Sequence, residues 1–104
     1  MGLTIGYAAM LEQFHPTEAV ALSAYAEEHG FSGTMAADHF QPWVPAQGES
    51  SFVWNVLTAL GERTRGDLGA GVAAPTCRGR RAMVAQASAT LAAMYPGRHW
   101  LGLG

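Results

Sequence analysis

Four short apolar runs alternate with three longer amphipathic segments along the chain, and this alternation of strand-like and helix-like periods constrains the fold more than any other feature. Leu3 to Tyr7 reads as a first buried strand, followed by a polar loop through Glu12 and Gln13. Pro16-Thr17-Glu18 then starts a helix with proline in its first turn. Its apolar stripe is Ala19, Leu22 and Ala26, and Gly30 stands where a C-terminal cap belongs. Gly33 to Ala37 is a weaker second strand. Asp38 to Ser50 contains Pro42, Pro45 and Gly48 and is therefore a loop. Ser50 or Ser51 caps a second helix with apolar positions Phe52, Val53, Val56, Leu57 and Leu60. Leu68 to Ala74 reads as the third strand, stopped by Pro75. A third helix, from about Arg80 to Tyr95, places Met83, Ala87, Thr90, Leu91 and Met94 on one face. Pro96-Gly97 breaks it, and His99 to Leu103 forms the fourth strand.

Strands that alternate with helices build right-handed βαβ units and a parallel sheet. Two closures remain open, a doubly wound sheet or the start of a barrel. Gly104 follows the fourth apolar run with no helix to cover it, so the polypeptide is expected to be cut short. With 49% hydrophobic and 13% charged residues, the 104-residue chain has the composition of one globular unit. All six cations are arginines, set against eight acids, so the basic footprint of a nucleic-acid binder is missing. No membrane partner is expected either: no run approaches the ~18 apolar residues of a membrane span, and no basic residue precedes the first apolar stretch. The expected location is the cytoplasm. Cys77 is the single cysteine, which excludes an internal disulfide, and no histidine or cysteine row at zinc spacing accompanies it, so no metal is expected.

The segment Asp38-His39-Phe40-Gln41-Pro42-Trp43 carries most of the chemistry, because it sets an ionisable pair and two aromatics after a predicted parallel strand, the end of the sheet where α/β sites form. It supports a histidine acid/base beside an aromatic wall. It equally supports a histidine and an aspartate bonded to their own loop while the aromatics plug a barrel end. Glu12 follows the first strand in the same way, either as a proton-handling group or as a solvated loop acid. Gly69 to Thr76 is rich in small residues, which let backbone approach a flat ligand or merely mark a bulge. Its spacing is not the dinucleotide fingerprint. Arg78, Arg80 and Arg81 form either a phosphate grip or a solvated patch. His15, His29 and His99 are assigned structural roles, Cys77 an inert thiol, and Trp54 and the methionines the core.

Taken together, IGY, EQF, AADHFQPW, SSFVW, GERT, APT, AQASAT and YPGRHWLGLG resemble the luciferase-like flavin and deazaflavin oxidoreductases. Within them the likeness is to the branch of F420-dependent sugar-phosphate dehydrogenases and their relatives. DHFQPW is the specific part. The resemblance covers the whole chain and implies an α/β fold that is a partial (β/α)8 TIM barrel, with about strands one to four and helices one to three, so that residues 1–104 are the N-terminal part of a luciferase-like barrel domain. By the same resemblance His39 handles the proton of a substrate hydroxyl, Trp43 stands beside the cofactor, and Glu12 shares their pocket. Asp38 touches the cofactor, and Gly71-Val72 matches a non-prolyl cis peptide that backs its ring. Ala74 stands where the sugar-phosphate enzymes carry a cofactor-contacting threonine, and Gly104 matches the first glycine of a Gly-Thr-Gly-Glu-like motif. The implied cofactor is coenzyme F420, with FMN as the alternative in a luciferase-like monooxygenase. The implied partners are a small-molecule substrate and, for the full-length protein, a second copy in a homodimer. A third reading is a non-catalytic barrel remnant that pairs with another chain. The isolated 104 residues are expected to be inactive.

Overall fold

The computed structural model describes residues 2–74 and 81–104. Its elements follow in the order β1 (Tyr7–Ala9), α1 (Pro16–Glu28), β2 (Gly33–Ala36), α2 (Val53–Arg63), β3 (Asp67–Ala73), α3 (Arg81–Met94) and β4 (His99–Leu103). The strands form one parallel sheet in the order β1-β2-β3-β4, with Tyr7 opposite Thr34, Thr34 opposite Leu68, and Leu68 opposite His99. Every connection between neighbouring strands therefore crosses over through a helix.

One core decides between the two closures. Alternate strand residues Ala9, Ala36, Leu68 and Ala70 join Ala19 of α1, Leu57 and Leu60 of α2, and Val84 and Leu91 of α3 in a single buried cluster, so all three helices lie on one face. Each fully buried leucine there contributes about 1.5–3 kcal/mol. Among the described residues the other face holds no helix. Instead Trp100 lies across Gly69, where an added Cβ would come within 2.2 Å of the indole, and Met35 lies against Gly71. A doubly wound sheet is covered by helices on both faces; helices outside and side chains inside is the wall of a (β/α)8 barrel.

The termini of α1 follow its sequence closely. The His15 ring nitrogen Nδ1 accepts from the Thr17 N–H at 3.3 Å, and Pro16 occupies the first turn. At the other end Gly30 takes φ +102°, while Phe31 N–H donates to Ala26 O and Gly30 N–H to Glu27 O, the paired bonds of a Schellman cap. His29 Nδ1 lies 2.8 Å from Tyr25 O, and His99 bridges Leu68 O and Ser88 Oγ at 2.8 and 2.7 Å.

Several expectations are corrected. The first strand is not Leu3 to Tyr7: pairing starts where Tyr7 meets Thr34, and Leu3 and Ile5 are exposed. Neither Ser50 nor Ser51 caps α2; its N-cap is Phe52, which makes no side-chain capping bond and is itself partly exposed. The third strand begins one residue earlier and ends at Ala73. The buried stripe of α3 is Val84, Leu91 and the following Tyr95, with Ala87 packed at its edge. Met83 and Met94 face outward and Met10 is exposed too, so these three methionines are not core, whereas Met35 is half-buried and Trp54 buried. An alanine-rich helix has little contrast between its faces, which is why its stripe is hard to place from period alone. Pro75, Cys77, Arg78 and Arg80 lie outside the described residues.

A polar network ties the sheet together at the end where its strands begin. The Glu27 carboxylate accepts from the backbone N–H groups of Arg65 and Gly66, at 2.9 and 2.8 Å for the shortest bond to each. Arg98 donates to Gly66 O, Gly61 O and Thr64 Oγ1 at 2.8, 3.1 and 3.2 Å, closing the C-terminus of α2. The buried Tyr95 hydroxyl donates to Glu62 Oε2 at 2.7 Å and lies 3.0 Å from Thr58 O. Its ring fills the space beside Gly61, where a Cβ would sit 2.2 Å from it. Burial, reinforced by the Glu62 carboxylate, pushes the Tyr95 pKa above its ordinary 10.0. A raised folded value means that the contribution of this phenol is fully present below pH 10 and drains away as pH climbs through the higher folded value. Tyr95→Phe should lose about 1–3 kcal/mol in denaturant unfolding at neutral pH and show a weaker alkaline decline than the parent. Equal stability of the two proteins would remove Tyr95 from this account.

Candidate active site

Each strand of a parallel sheet hands the chain to a loop at its C-terminal end, so residues far apart in sequence meet there. Glu12 follows β1, Asp38 to Trp43 follow β2, Ala74 follows β3 and Gly104 follows β4. Glu12 is only 3% exposed, in a tight turn where Gln13 N–H and Phe14 N–H both donate to Met10 O at 3.2 Å. It is therefore not a solvated loop acid. Its Oε2 forms a close hydrogen bond with Nδ1 of His39 across the gap between the two loops. A carboxylate can only accept, so Nδ1 carries the proton and, in the neutral ring, Nε2 is the basic nitrogen.

The imidazole also has an aromatic neighbour. The Trp43 indole lies T-shaped to it, at 4.9 Å between centroids with 83° between the planes. Within these residues Trp43 is 73% exposed and Phe40 is exposed as well, so both rings stand at the rim of this part of the sheet. The His39 ring also bonds outside its own loop, which removes the purely local reading of that histidine. Ser50, read from sequence as a helix cap, instead donates its hydroxyl to His39 O at 2.6 Å. Two serines in tandem ahead of a helix were the only signal of this role, since at most one of them can be the cap.

Beside this cluster lies a shelf with almost no side chains. Asp38 is buried, and its backbone N–H reaches Val72 O at 3.4 Å. The Gly71-Val72 peptide is cis, and the register of β3 against β4 shifts between Ala70 and Ala73. The two glycines of this strand thus mark an irregularity and a close approach together. Val72 is half exposed, and Gly104 N–H donates to Ala73 O at 3.0 Å. A Cβ added at Gly104 would come 2.4 Å from Val72 Cγ1, so only glycine lets β4 end flush against Val72. Ala74 follows directly with a single methyl group. Asp38, Gly71, Val72, Ala74 and Gly104 thus converge on a low surface, and the chain joins it to His39 and Trp43 through Asp38. A groove of about 430 Å³ between α2 and α3 is lined by Asp38 but by none of Glu12, His39, Trp43 and Val72, and is separate from this cluster. Arg81, at the start of α3, is exposed.

A family model described as luciferase-like monooxygenase matches residues 3–104. The chain belongs to the luciferase-like family. Among curated relatives this luciferase-like chain is 50% identical over 103 residues to an F420-dependent glucose-6-phosphate dehydrogenase of Mycobacterium avium, covering 98% of this chain and 31% of that protein. It is 48% identical over 103 residues to F420-dependent glucose-6-phosphate dehydrogenase 2 of Rhodococcus jostii, with the same coverage. Among solved structures, an F420-dependent secondary alcohol dehydrogenase in complex with an F420-acetone adduct superposes with a TM-score of 0.94 at 36% identity, over all of this chain and 32% of the other. The F420-dependent tetrahydromethanopterin reductase of Methanopyrus kandleri superposes at 0.75 with 26% identity, over 98% of this chain and 27% of that one. The chain thus spans about a third of the length of the relatives it matches. No helix among the described residues is long and apolar enough to cross a membrane.

Proposed function

We propose that the whole protein carrying this chain is an F420-dependent oxidoreductase that moves a hydride between the carbinol carbon of a small-molecule alcohol, a class that includes sugar phosphates, and the deazaflavin. The observation that carries this reading is the Glu12–His39–Trp43 cluster beside the Gly71-Val72 shelf. It is supported by relatives whose names specify F420-dependent dehydrogenases.

What supports a planar ring at the shelf is that Val72 is exposed there and that neither Gly71 nor Gly104 carries a side chain beside it. Val72, Ala74, Asp38 and Gly104 would hold the cofactor, which when bound supplies the hydride acceptor. His39 accepts the hydroxyl proton of the carbinol at Nε2, becoming an imidazolium. Glu12 holds Nδ1–H, fixes the ring and offsets the positive charge that appears on it. Trp43 confines the imidazole from one side and keeps bulk water off that face. Ala74 offers no hydroxyl, so one polar contact that the resemblance assigns to the sugar-phosphate enzymes is absent, and the substrate is left at the level of an alcohol. On this reading residues 1–104 are the first part of a barrel domain, the whole protein is a cytoplasmic homodimer, and neither nucleic acid nor membrane is a partner.

Titration of the complete protein with each cofactor tests the reading. The deazaflavin is expected to bind more tightly than FMN. The reverse order would replace it with an FMN-dependent luciferase-like monooxygenase.

A further inference from the structure

The loop between β2 and α2 returns to the site after leaving it. Val44 N–H donates to Gln47 Oε1 at 3.1 Å and Gln47 N–H to Val44 O at 3.0 Å, which closes a small ring, and Gly48 then takes φ +77° and turns the chain back. The next two residues each make one bond into the site, one to each partner of the Glu12–His39 pair. Glu49 N–H donates to Glu12 O at 3.0 Å, and Ser50 Oγ donates to His39 O at 2.6 Å. Both residues are half-buried.

Glu12 and His39 belong to loops from different strands, so nothing in the ladder of β1 and β2 fixes their distance beyond the last paired residues, Ala9 and Ala36. Two residues separate each strand end from its site residue, Met10 and Leu11 on one side and Ala37 and Asp38 on the other. Each intervening residue has two soft backbone dihedrals, and an unrestrained loop would let the imidazole turn so that Nε2, rather than Nδ1, meets the carboxylate. The bonds from residues 49 and 50 remove that freedom at the backbone of both partners.

We infer that Ser50 is a positioning residue for the proton transfer: by holding the His39 carbonyl while Glu49 N–H holds that of Glu12, it makes Nδ1 the nitrogen that meets Glu12 and leaves Nε2 for the substrate. The inference rests on the proton-handling role of His39 proposed above. The role assigned to Ser50 acts through the His39 backbone alone.

Solid-state nitrogen-15 NMR of the histidine-labelled protein reads the tautomer of each ring without any turnover. With four histidines in the chain, His39→Gln assigns the resonances. The parent should show His39 in the Nδ1–H form by about tenfold or more over the Nε2–H form, the ratio expected of one charge-assisted hydrogen bond. Ser50→Ala should bring that ratio below about threefold, while Ser50→Thr, which keeps the hydroxyl, should restore it. His15, His29 and His99 should not change in either variant. If Ser50→Ala unfolds, Ser50→Cys takes its place with the same expectation, because a thiol is a weak donor. A parent-like ratio in Ser50→Ala, or an Nε2–H form in the parent, overturns the inference. That outcome is distinct from failure of the functional reading, which would instead appear as full turnover in a protein lacking the His39 imidazole.

Discussion

Turnover of the whole protein should fall by about 100-fold or more when His39 is replaced by alanine, while the dissociation constant for the cofactor stays within about twofold of the parent. The split follows from geometry. His39 meets Glu12 through Nδ1 and Trp43 in a T-shaped ring contact, and it is Asp38, one residue earlier, that reaches Val72 at the shelf. Removing the imidazole therefore deletes the proton acceptor without deleting a wall of the cofactor site. Steady-state kinetics combined with cofactor titration checks both halves. Unchanged turnover would return His39 to a structural role, and a parallel collapse of cofactor affinity would make it part of the shelf.

Glu12→Gln is expected to lower turnover by about 10- to 100-fold, again with cofactor affinity preserved. A glutamine amide still reaches Nδ1 through its oxygen, so the ring orientation survives, but the negative charge does not. The imidazolium that forms as the substrate proton arrives then lies against a neutral group in place of a buried carboxylate, since Glu12 is 3% exposed. Loss of turnover with intact binding is the signature of an interaction that matters only once charge develops. A variant as fast as the parent would show that Glu12 serves packing alone.

The alternation of periods was enough to place four strands and three helices in order, because apolar runs bounded by Pro16, Gly30, Pro96 and Gly97 leave little choice of element type. Which closure the sheet takes was not legible from period. The resemblance implied the barrel, and the structure agrees: Trp100 and Met35, rather than a helix, cover Gly69 and Gly71. The start of β1 was misplaced for a related reason: Leu3 and Ile5 carry strand-like side chains, yet pairing is a property of two strands, and Gly33 sets its first partner only at the level of Asp67 on the far side. At the site, DHFQPW announced His39 and Trp43, and the resemblance named Glu12. The burial of Glu12 was not readable, because no local pattern marks a loop acid whose partner lies 27 residues further along. Ser50 was hidden more thoroughly, since serine ahead of a helix is the ordinary mark of a cap.

The tyrosine–arginine–glutamate network sits where the strands start, and the Glu12–His39 pair sits where they finish, with the buried leucines between them. Such separation decouples wear at one end from consequence at the other. Free energies of substitutions more than about 7–10 Å apart with no shared partner add with little cross-term. Changes in the loops around His39 can therefore accumulate and alter what the protein accepts, each drawing on a reserve of stability that Tyr95, Arg98 and Glu27 maintain independently. A lineage built this way can vary the rim around His39 by drift, and the substitutions that limit how far it goes lie at the opposite end of these elements.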